Sequence, residues 1–290
     1  MFVCRQCPRK CSADRDKSVG ICGVGTGYKL ARAALHFWEE PCISGERGSG
    51  TVFFSGCPLK CVFCQNNEIS RGCFGKEISE ERLIEIFKEL EDEGAHNINL
   101  VSPTHYAVQL ASTLSKYKPS IPVVYNTGGY DSVESLKPLE GLVDIYLTDI
   151  KYVSPSVSKK YSGAENYFEE CSKAVLEMRR QQKKDIFENG LMKKGLIVRH
   201  LVLPGNISQG MKMLDWVEEN LSNDTIISLM GQYMPCSKAA DFPTINRKIS
   251  EREYNTVLLH AERLGFENVY IQELDSSSKE YVPEFDLSGV

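Results

Sequence analysis

The sequence has no long hydrophobic run, and this absence limits where the protein can act. No stretch approaches the roughly 18 consecutive apolar residues that a membrane-spanning helix requires. The first residues, MFVCRQCPRKC, also lack the apolar segment of a secretory signal peptide. We therefore expect a cytosolic protein that has no membrane partner.

Positive charge is scarce for a protein that would coat nucleic acid. The 290 residues include 34 Lys and Arg against 39 Asp and Glu, a formal net charge of −5. Proteins that bind polyanions or anionic membranes usually carry an excess of basic residues. The composition argues against direct nucleic-acid binding and is compatible with small acidic substrates.

Cysteine, in contrast, is abundant. Eleven cysteines are too many for ordinary core packing, and a reducing cytosol disfavours disulfides. Ligation of a metal or an iron–sulfur cluster is the leading explanation. Four cysteines stand alone and are expected to be small buried residues: Cys42, Cys73, Cys171 and Cys236.

From Thr51 onward, short apolar runs of strand length alternate with helical periodicity. This alternation is typical of βα units that build a parallel sheet. The predicted strands are TVFFS (51–55), NINLV (97–101), IPVVY (121–125), VDIYLT (143–148), GLIVRHLVL (195–203) and TIISLM (225–230), with a seventh, NVYIQ, at 268–272. Six units of about 30 residues fit one α/β domain, an open or partial (β/α)6 barrel.

Helices are predicted from apolar spacing and from end signals. Ser79 is a suitable N-cap and Gly94 a suitable stop for a helix between the first two strands. Ser250 and Glu253 form a capping box for the last helix. The predicted helices cover about 79–94, 165–181, 208–221 and 250–265.

The first 50 residues differ in character from the remainder. Residues 1–30 are rich in Cys, Gly and basic residues, and residues 31–50 are expected to form a loop-rich bridge. The predicted organisation is a Cys-rich module with its bridge at 1–50, followed by the barrel with a C-terminal extension at 51–290. The segment 179–194 is expected to be a charged surface connection.

The N-terminal module contains four closely spaced cysteines. They form a C-x2-C-x3-C-x10-C pattern of Cys4, Cys7, Cys11 and Cys22. Four thiolates in so short a segment would close a tetrahedral zinc site or hold a second cluster. A metal is the physical reason for such a short segment to fold. Spacing leaves both metals open, and full four-Cys coordination slightly favours zinc.

A second cysteine motif follows the first predicted strand. In GCPLKCVFCQN (56–66), the thiols of Cys57, Cys61 and Cys64 have a C-x3-C-x2-C spacing. Three thiolates hold three irons of a four-iron, four-sulfur cluster and leave the fourth iron without a protein ligand. An open coordination position distinguishes a reactive metal site from a closed structural one. The motif therefore predicts a catalytic cluster.

This loop, with the aromatic Phe63 before its last cysteine, resembles the radical S-adenosylmethionine (radical SAM) superfamily. The resemblance implies a partial (β/α)6 barrel, a 4Fe-4S cluster and S-adenosyl-L-methionine as cofactors. It also implies that the open iron binds the amino and carboxylate groups of S-adenosylmethionine. An electron from the cluster then cleaves this cofactor to methionine and a 5'-deoxyadenosyl radical.

The resemblance extends over most of residues 50–235 to the pyruvate formate-lyase activating enzyme-like (PflX-type) branch. SPTHY (102–106) stands where relatives have a Gly-Gly-Glu-Pro-like segment, and it lacks the Glu of that segment. The resemblance implies cofactor contacts from Phe63, Ser102, Thr104, Asn126, Thr127, Asp149, Lys151, Arg199 and Gln232. Adjacent strand residues face opposite sides, so only one of Arg199 and His200 can point into the barrel. The resemblance implies Arg199, because relatives bind the cofactor carboxylate or ribose with an Arg at this position.

Substrate contacts are less well marked. His105 and Tyr106 follow the second strand at the catalytic face of a barrel. Tyr233 follows the sixth strand beside Gln232. These three residues are the candidate substrate contacts.

The resemblance leaves three functions to compare. The favoured one is a small-molecule lyase that acts on a nucleotide, such as queuine release from queuosine 5'-phosphate. The alternative is a glycyl radical enzyme activase, and the third is a non-catalytic Fe-S or zinc protein. Either enzyme would need a reducing partner such as a flavodoxin or a ferredoxin.

Overall fold

A computed structural model describes residues 4–272, 274 and 283–290 of the chain. Residues 1–3 of the predicted N-terminal module lie outside the described residues. The same is true of residue 273 and residues 275–282 of the predicted C-terminal extension.

The described part of the chain contains one large sheet with helices packed against it. Its strands are β1 (Tyr28–His36), β2 (Ser49–Phe54), β3 (Lys76–Ile78), β4 (Ile98–Val101), β5 (Val123–Thr127), β6 (Ile145–Asp149), β7 (Ile186–Glu188), β8 (Leu191–Leu201), β9 (Ile226–Met230) and β10 (Val269–Ile271). The strand order is β10-β9-β8-β6-β5-β4-β2-β1-β3, and β7 pairs with β8. Seven neighbouring strands run parallel to one another: β10, β9, β8, β6, β5, β4 and β2. At the β2 edge of the sheet, β1 pairs antiparallel with β2, and β3 pairs antiparallel with β1.

The helices lie between consecutive strands, as βα units require. They are α1 (Pro41–Ser44), α2 (Asn67–Ser70), α3 (Glu80–Asp92), α4 (Ala107–Lys116), α5 (Val133–Leu136), α6 (Pro155–Ser162), α7 (Tyr167–Gln181), α8 (Ile207–Asn220) and α9 (Glu251–Arg263). Ser79 accepts a hydrogen bond from the Arg82 amide at the start of α3, and Ser250 forms the expected capping box with Glu253. The predicted strands and helices are therefore confirmed to within a few residues.

The two faces of the sheet are covered differently. The long helices pack against the outer face, where residues such as Tyr125, Val198 and Leu229 join the main hydrophobic cluster. The inner face holds a smaller cluster in which Cys42 and Ile43 of α1 pack with apolar residues of β5, β6, β8 and β9. The connection between β1 and β2 thus fills the interior of the open barrel.

Two sequence predictions are wrong in detail. The bridge at 31–50 is not mainly loop, because β1 pairs with β2 and α1 enters the barrel. The charged connection at 179–194 contains the hairpin β7–β8, whose turn has Asn189 at φ 51° and Gly190 at φ 78°. An Asn-Gly pair with positive φ at both residues is a favoured hairpin turn, so the sequence contained the signal.

Of the four isolated cysteines that were expected to be buried, two are buried and two are not. Cys42 is buried on the inner side of the sheet, and Cys171 of α7 is buried on its outer side. Cys73 and Cys236 are only partly buried. In the described residues, no helix combines the length and the apolar character needed to cross a membrane.

Candidate active site

The predicted cluster loop lies at the carboxyl end of β2, next to the carboxyl ends of the other parallel strands. Two hydroxyl groups donate to its sulfur atoms. Ser162 Oγ lies 3.1 Å from Cys61 Sγ, and Ser70 Oγ lies 3.3 Å from Cys64 Sγ. These contacts hold the loop against α6 and α2, so the sulfur atoms have fixed surroundings.

The thiols of this loop are largely shielded from solvent, with Cys61 buried and Cys57 and Cys64 partly buried. Burial raises the pKa of the Cys57 thiol to about 12, and the neighbouring Cys61 and Cys64 add to the increase. Burial likewise raises the pKa of Cys64 to about 11, although the Ser70 hydroxyl and the Asn66 amide act in the opposite direction. Without metal these thiols stay protonated at neutral pH, and binding of a metal would release their protons.

A cavity of about 260 Å³ opens beside the cysteine loop. Among its lining residues are most of those assigned to the cofactor: Phe63, Ser102, Asn126, Thr127, Asp149, Lys151, Arg199 and Gln232. Tyr233 also lines it, with its hydroxyl bound to the Ile245 carbonyl oxygen at 2.7 Å. The fold therefore brings these residues from β4, β5, β6, β8 and β9 to the cysteine loop.

The floor of the cavity is charged. Asp149 at the end of β6 pairs with Lys151, and its other carboxylate oxygen accepts from Arg199 Nε at 2.8 Å. Burial would raise the pKa of Asp149, but the two cations outweigh burial and hold that pKa below its usual value. Asp149 therefore remains ionised and fixes both cations beside the cavity.

Arg199 is held by three hydrogen bonds within the protein. Besides Asp149, its guanidinium donates to Asn126 Oδ1 at 2.6 Å and to Glu39 Oε2 at 3.1 Å. Asn126 in turn donates to Glu39 Oε1 at 3.1 Å. His200, on the other side of β8, binds the Ile150 carbonyl oxygen at 2.6 Å and packs near α8. Three of the five N–H groups of Arg199 are thus engaged within the protein, and these contacts fix the guanidinium beside the cavity.

Glu39 and Glu40 are site residues that the sequence reasoning missed. Glu39 lines the cavity, and Glu40 is buried with its Oε2 3.8 Å from Arg199 Nη1. Among the described residues, Glu40 Oε2 has no hydrogen-bond partner. Burial raises the pKa of Glu40, with the charge of Glu39 adding to the effect and that of Arg199 opposing it. The sequence signal that could have identified Glu39 and Glu40 was Pro41. Proline is favoured at the first position of a helix, so Pro41 marks the point where the chain turns towards the barrel.

Three predicted residues do not face the cavity. Thr104 is buried, with its hydroxyl 3.0 Å from the Thr127 hydroxyl. His105 Nε2 contacts the Ser55 carbonyl oxygen at 2.8 Å, and Tyr106 donates to the Gly27 carbonyl oxygen at 2.9 Å. The structure therefore does not bring Thr104, His105 and Tyr106 to the cavity with the other predicted site residues. The chain turns after Ser102, at φ 59°, and directs the next residues towards the N-terminal segment.

The cavity wall also requires a glycine. Gly129 follows β5 with φ 78°, and a Cβ at this position would clash with the Asp149 carbonyl oxygen and lie 2.7 Å from Cys171 Sγ. Only glycine adopts this conformation without cost and allows such close approach. The turn 126–129 can therefore pass directly over the end of β6.

The four N-terminal cysteines gather beside the cluster loop. Cys4, Cys7 and Cys22 are buried, and Cys11 is partly exposed. Within residues 4–272, 274 and 283–290, no three His, Cys, Asp or Glu side chains converge closely enough to enclose a single metal ion. This absence applies both to the four N-terminal cysteines and to Cys57, Cys61 and Cys64.

Comparison with known proteins identifies the family. The sequence profile of the Radical SAM superfamily matches residues 51–205, which is just over half of the chain. This chain belongs to the radical SAM superfamily. The matched range begins in β2 and extends beyond β8, so it contains the cysteine loop and the charged floor of the cavity.

The relatives agree with this assignment. An uncharacterized protein of Methanocaldococcus jannaschii is 32% identical over 277 residues, covering 92% of this chain and 76% of the relative. The crystal structure of Streptococcus suis SuiB matches with a TM-score of 0.54 at 12% identity, covering 79% of this chain and 50% of SuiB. Methylornithine synthase (PylB) matches with a TM-score of 0.50 at 15% identity, covering 77% and 70% of the two chains. These structural matches confirm the open, barrel-like parallel α/β fold.

Radical SAM membership implies a 4Fe-4S cluster and S-adenosylmethionine, and the residues present fit both. Cys57, Cys61 and Cys64 offer three thiols on one loop, and the cavity beside them is lined by charged and aromatic groups. When bound, the cluster supplies the electron for reductive cleavage of S-adenosylmethionine. Asp149, Lys151 and Arg199 would orient charged groups of the bound molecule, and Phe63 and Tyr233 would exclude water from one side.

Proposed function

We propose that this radical SAM protein is a lyase that acts on a small nucleotide, with queuine release from queuosine 5'-phosphate as the specific reaction. The reaction would begin with removal of a hydrogen atom from the ribose portion by the 5'-deoxyadenosyl radical. Fragmentation would then break the bond to the base. The choice of this substrate comes from the resemblance to the PflX-type branch.

One observation carries the preference for a small substrate. The β1–β2 connection closes the barrel interior beneath the cavity, and charged and aromatic side chains line the remaining space beside the cysteine loop. A compact ligand with a flat base is suited to the space between aromatic walls and a charged floor. Lys151 and Arg199 are the cations of this lining that a substrate phosphate would approach.

The alternative, a glycyl radical enzyme activase, is favoured by a different feature. Phe37 and Trp38 are 49% and 57% exposed, and Trp38 also lines the cavity. Exposed aromatic residues at the mouth of a site are typical of protein interfaces. A protein partner that presents a glycine to the cavity would cover this surface.

We further propose a cytosolic location and a low-potential electron donor such as a flavodoxin or a ferredoxin. A reducing compartment would keep the eleven thiols free of disulfides. The donor would supply the electron that each turnover consumes.

The deciding experiment is anaerobic mass spectrometry of the reduced, cluster-loaded protein with S-adenosylmethionine, with and without queuosine 5'-phosphate. We expect 5'-deoxyadenosine and free queuine only when the nucleotide is present. The variant C57A/C61A/C64A should form neither product, whereas C42A, which removes a buried cysteine that does not line the cavity, should form both. Slow 5'-deoxyadenosine formation that ignores the nucleotide would refute the lyase proposal and direct attention to a protein substrate. Absence of any cleavage by a fully loaded protein would favour a non-catalytic role.

A further inference from the structure

We propose that Cys4, Cys7, Cys11 and Cys22 hold a second 4Fe-4S cluster, which passes single electrons to the cluster at Cys57, Cys61 and Cys64. The identity of the acceptor rests on the proposed radical SAM activity of this chain. The metal bound by the N-terminal cysteines does not, so the two are tested separately.

The fold gathers the four N-terminal thiols. A Cβ at Gly20 would lie 3.3 Å from Cys11 Sγ and 3.4 Å from Cys22 Sγ, so these two sulfur atoms flank the same glycine. The Cys4 amide donates to the Ala13 carbonyl oxygen at 3.0 Å, and this bond folds the segment back on itself. Each of the other three thiols contributes to the electrostatic environment of Cys7, which places all four in one neighbourhood.

Backbone amides surround the sulfur atoms of both cysteine groups in a similar arrangement. The amides of Arg9, Ala13 and Val24 point at the thiols of Cys7, Cys11 and Cys22, respectively. In each case the amide belongs to the residue two positions after the cysteine. The cluster loop repeats this pattern, with the Leu59 amide at Cys57 and the Asn66 amide at Cys64. Hydrogen bonds to the sulfur atoms stabilise thiolates and tune cluster potentials. Both cysteine groups are therefore built in the same local way.

Zinc and a 4Fe-4S cluster place different demands on the positions of the four sulfur atoms. Zinc requires four sulfur atoms at about 2.3 Å from one point. In a 4Fe-4S cluster each thiolate binds a different iron, so the sulfur atoms are spread more widely. No group of three thiols in the described residues converges on a single ion, and this holds for the catalytic loop as well. In this respect the N-terminal thiols are like those of the catalytic loop and unlike a closed zinc site, and this likeness favours a cluster and replaces the slight preference for zinc.

The two cysteine sites are in direct contact. The Cys57 amide donates to the Cys22 carbonyl oxygen at 3.2 Å, so one hydrogen bond joins a ligand residue of each site. Cys73 Sγ lies 3.7 Å from the same carbonyl oxygen. Arg9 extends the contact by donating to the Pro58 carbonyl oxygen at 2.8 Å. A structural zinc would explain why the segment folds, but it would not explain why it folds against the catalytic loop.

A buried cation completes the N-terminal site. Arg15 is 2% exposed, its Nη1 lies 4.0 Å from Cys4 Sγ, and it donates to the His105 carbonyl oxygen at 2.6 Å. Reduction adds one negative charge to the cluster, and a nearby guanidinium stabilises that charge in a medium of low dielectric constant. Arg15 would thus make the N-terminal cluster easier to reduce.

The electron transfer step is balanced without further reactants. A low-potential one-electron donor protein reduces the N-terminal cluster from the 2+ to the 1+ state. That cluster returns to 2+ when it reduces the catalytic cluster from 2+ to 1+. No bond is formed or broken and no proton is moved in this relay.

Metal analysis of the full chain tests the site directly. Anaerobically reconstituted wild-type protein and C42A should contain about eight iron and eight sulfide per chain, and C57A/C61A/C64A should retain about four of each. Zinc bound to that triple variant in place of iron would overturn the proposal, and so would a triple variant that binds no metal. This result does not depend on turnover, so a failed queuine assay leaves it readable.

The relay is tested by spectroscopy and by the choice of reductant. In reduced wild-type protein, two paramagnetic clusters in contact should show spin–spin broadening in the electron paramagnetic resonance spectrum, and C57A/C61A/C64A should show a single uncoupled signal. The variant C7S/C22S should cleave S-adenosylmethionine with dithionite but lose cleavage with a reduced flavodoxin. Equal rates with the flavodoxin for wild-type protein and this variant would refute the relay. Should C7S/C22S fail to fold, the coupled spectrum of the wild-type protein decides the question, because two uncoupled signals would also refute it.

Discussion

Arg199 of β8 donates to Glu39 of the β1–β2 connection at 3.1 Å, and this contact fastens the connection inside the barrel. The guanidinium is also bound to Asp149 and Asn126, so four groups from four segments share one buried network. In a dry site such a network holds its members in place only while every charge has a partner. The network therefore couples the barrel interior to the floor of the cavity.

Replacement of Arg199 should be strongly destabilising. Arg199→Met would leave Glu39 and Asp149 without their shared cation, and loss of one partner from a buried ion pair costs about 3–5 kcal/mol. Urea unfolding monitored by circular dichroism measures the change. Arg82→Met is the matched control, because Arg82 pairs with Glu89 on the exposed face of α3 and its loss should change little. Equal stability of the two variants would show that the network does not support the fold.

The buried Glu40 predicts a pH dependence of stability. Burial raises the pKa of Glu40 above its usual 4.5, so the folded state holds this proton more tightly than the unfolded state. Stability from this group is complete below about pH 4.5 and is lost as the pH rises through the folded-state pKa. Glu40→Gln removes the ionisation, so the variant should gain thermal stability relative to wild type as the pH rises from 5 to 8.

The charges next to Glu40 determine how far its pKa is raised, and therefore how strongly stability depends on pH. Arg199 opposes the increase in the pKa of Glu40, and Glu39 adds to it. Glu46→Gln, an exposed change on the same connection, is the control and should leave the melting temperature nearly unchanged at both pH values. A melting temperature of Glu40→Gln that follows wild type across the pH range would show that Glu40 has an ordinary pKa.

The sequence predicted the parallel strands and the cysteine loop because local patterns determine both. Val123 and Val124 lie in a short apolar run, and Cys57, Cys61 and Cys64 lie within eight residues of one another. Glu39 and Glu40 were missed because their burial depends on contacts with β8, about 160 positions further along the chain. His105 and Tyr106 were misplaced for a related reason, since the N-terminal segment covers them. Patterns within one element cannot reveal which distant segment will pack on it.

Gly129 should tolerate no side chain. Gly129→Ala would force an L-residue to φ 78° and bring its Cβ against the Asp149 carbonyl oxygen and Cys171. Gly141→Ala is the matched control, because Gly141 has φ 79° and open space around it. The control carries only the left-handed backbone cost of about 1–2 kcal/mol. Thermal unfolding should therefore show a clearly larger loss for Gly129→Ala, and equal losses would mean that the turn shifts freely.

Arg9 should fasten the N-terminal segment to the cluster loop. It donates to the Pro58 carbonyl oxygen at 2.8 Å and to the Ser162 carbonyl oxygen at 2.7 Å, and its guanidinium lies 5.4 Å from the centre of the Tyr130 ring. Arg9→Gln shortens the side chain and removes the charge, so these contacts should be lost and the segment should open more often. Hydrogen exchange of residues 4–24 in the metal-loaded protein measures this opening. We expect faster exchange in Arg9→Gln and unchanged exchange in Arg5→Gln, a matched change at an exposed position of the same segment. Unchanged exchange in both variants would show that the cysteine site alone holds the segment in place.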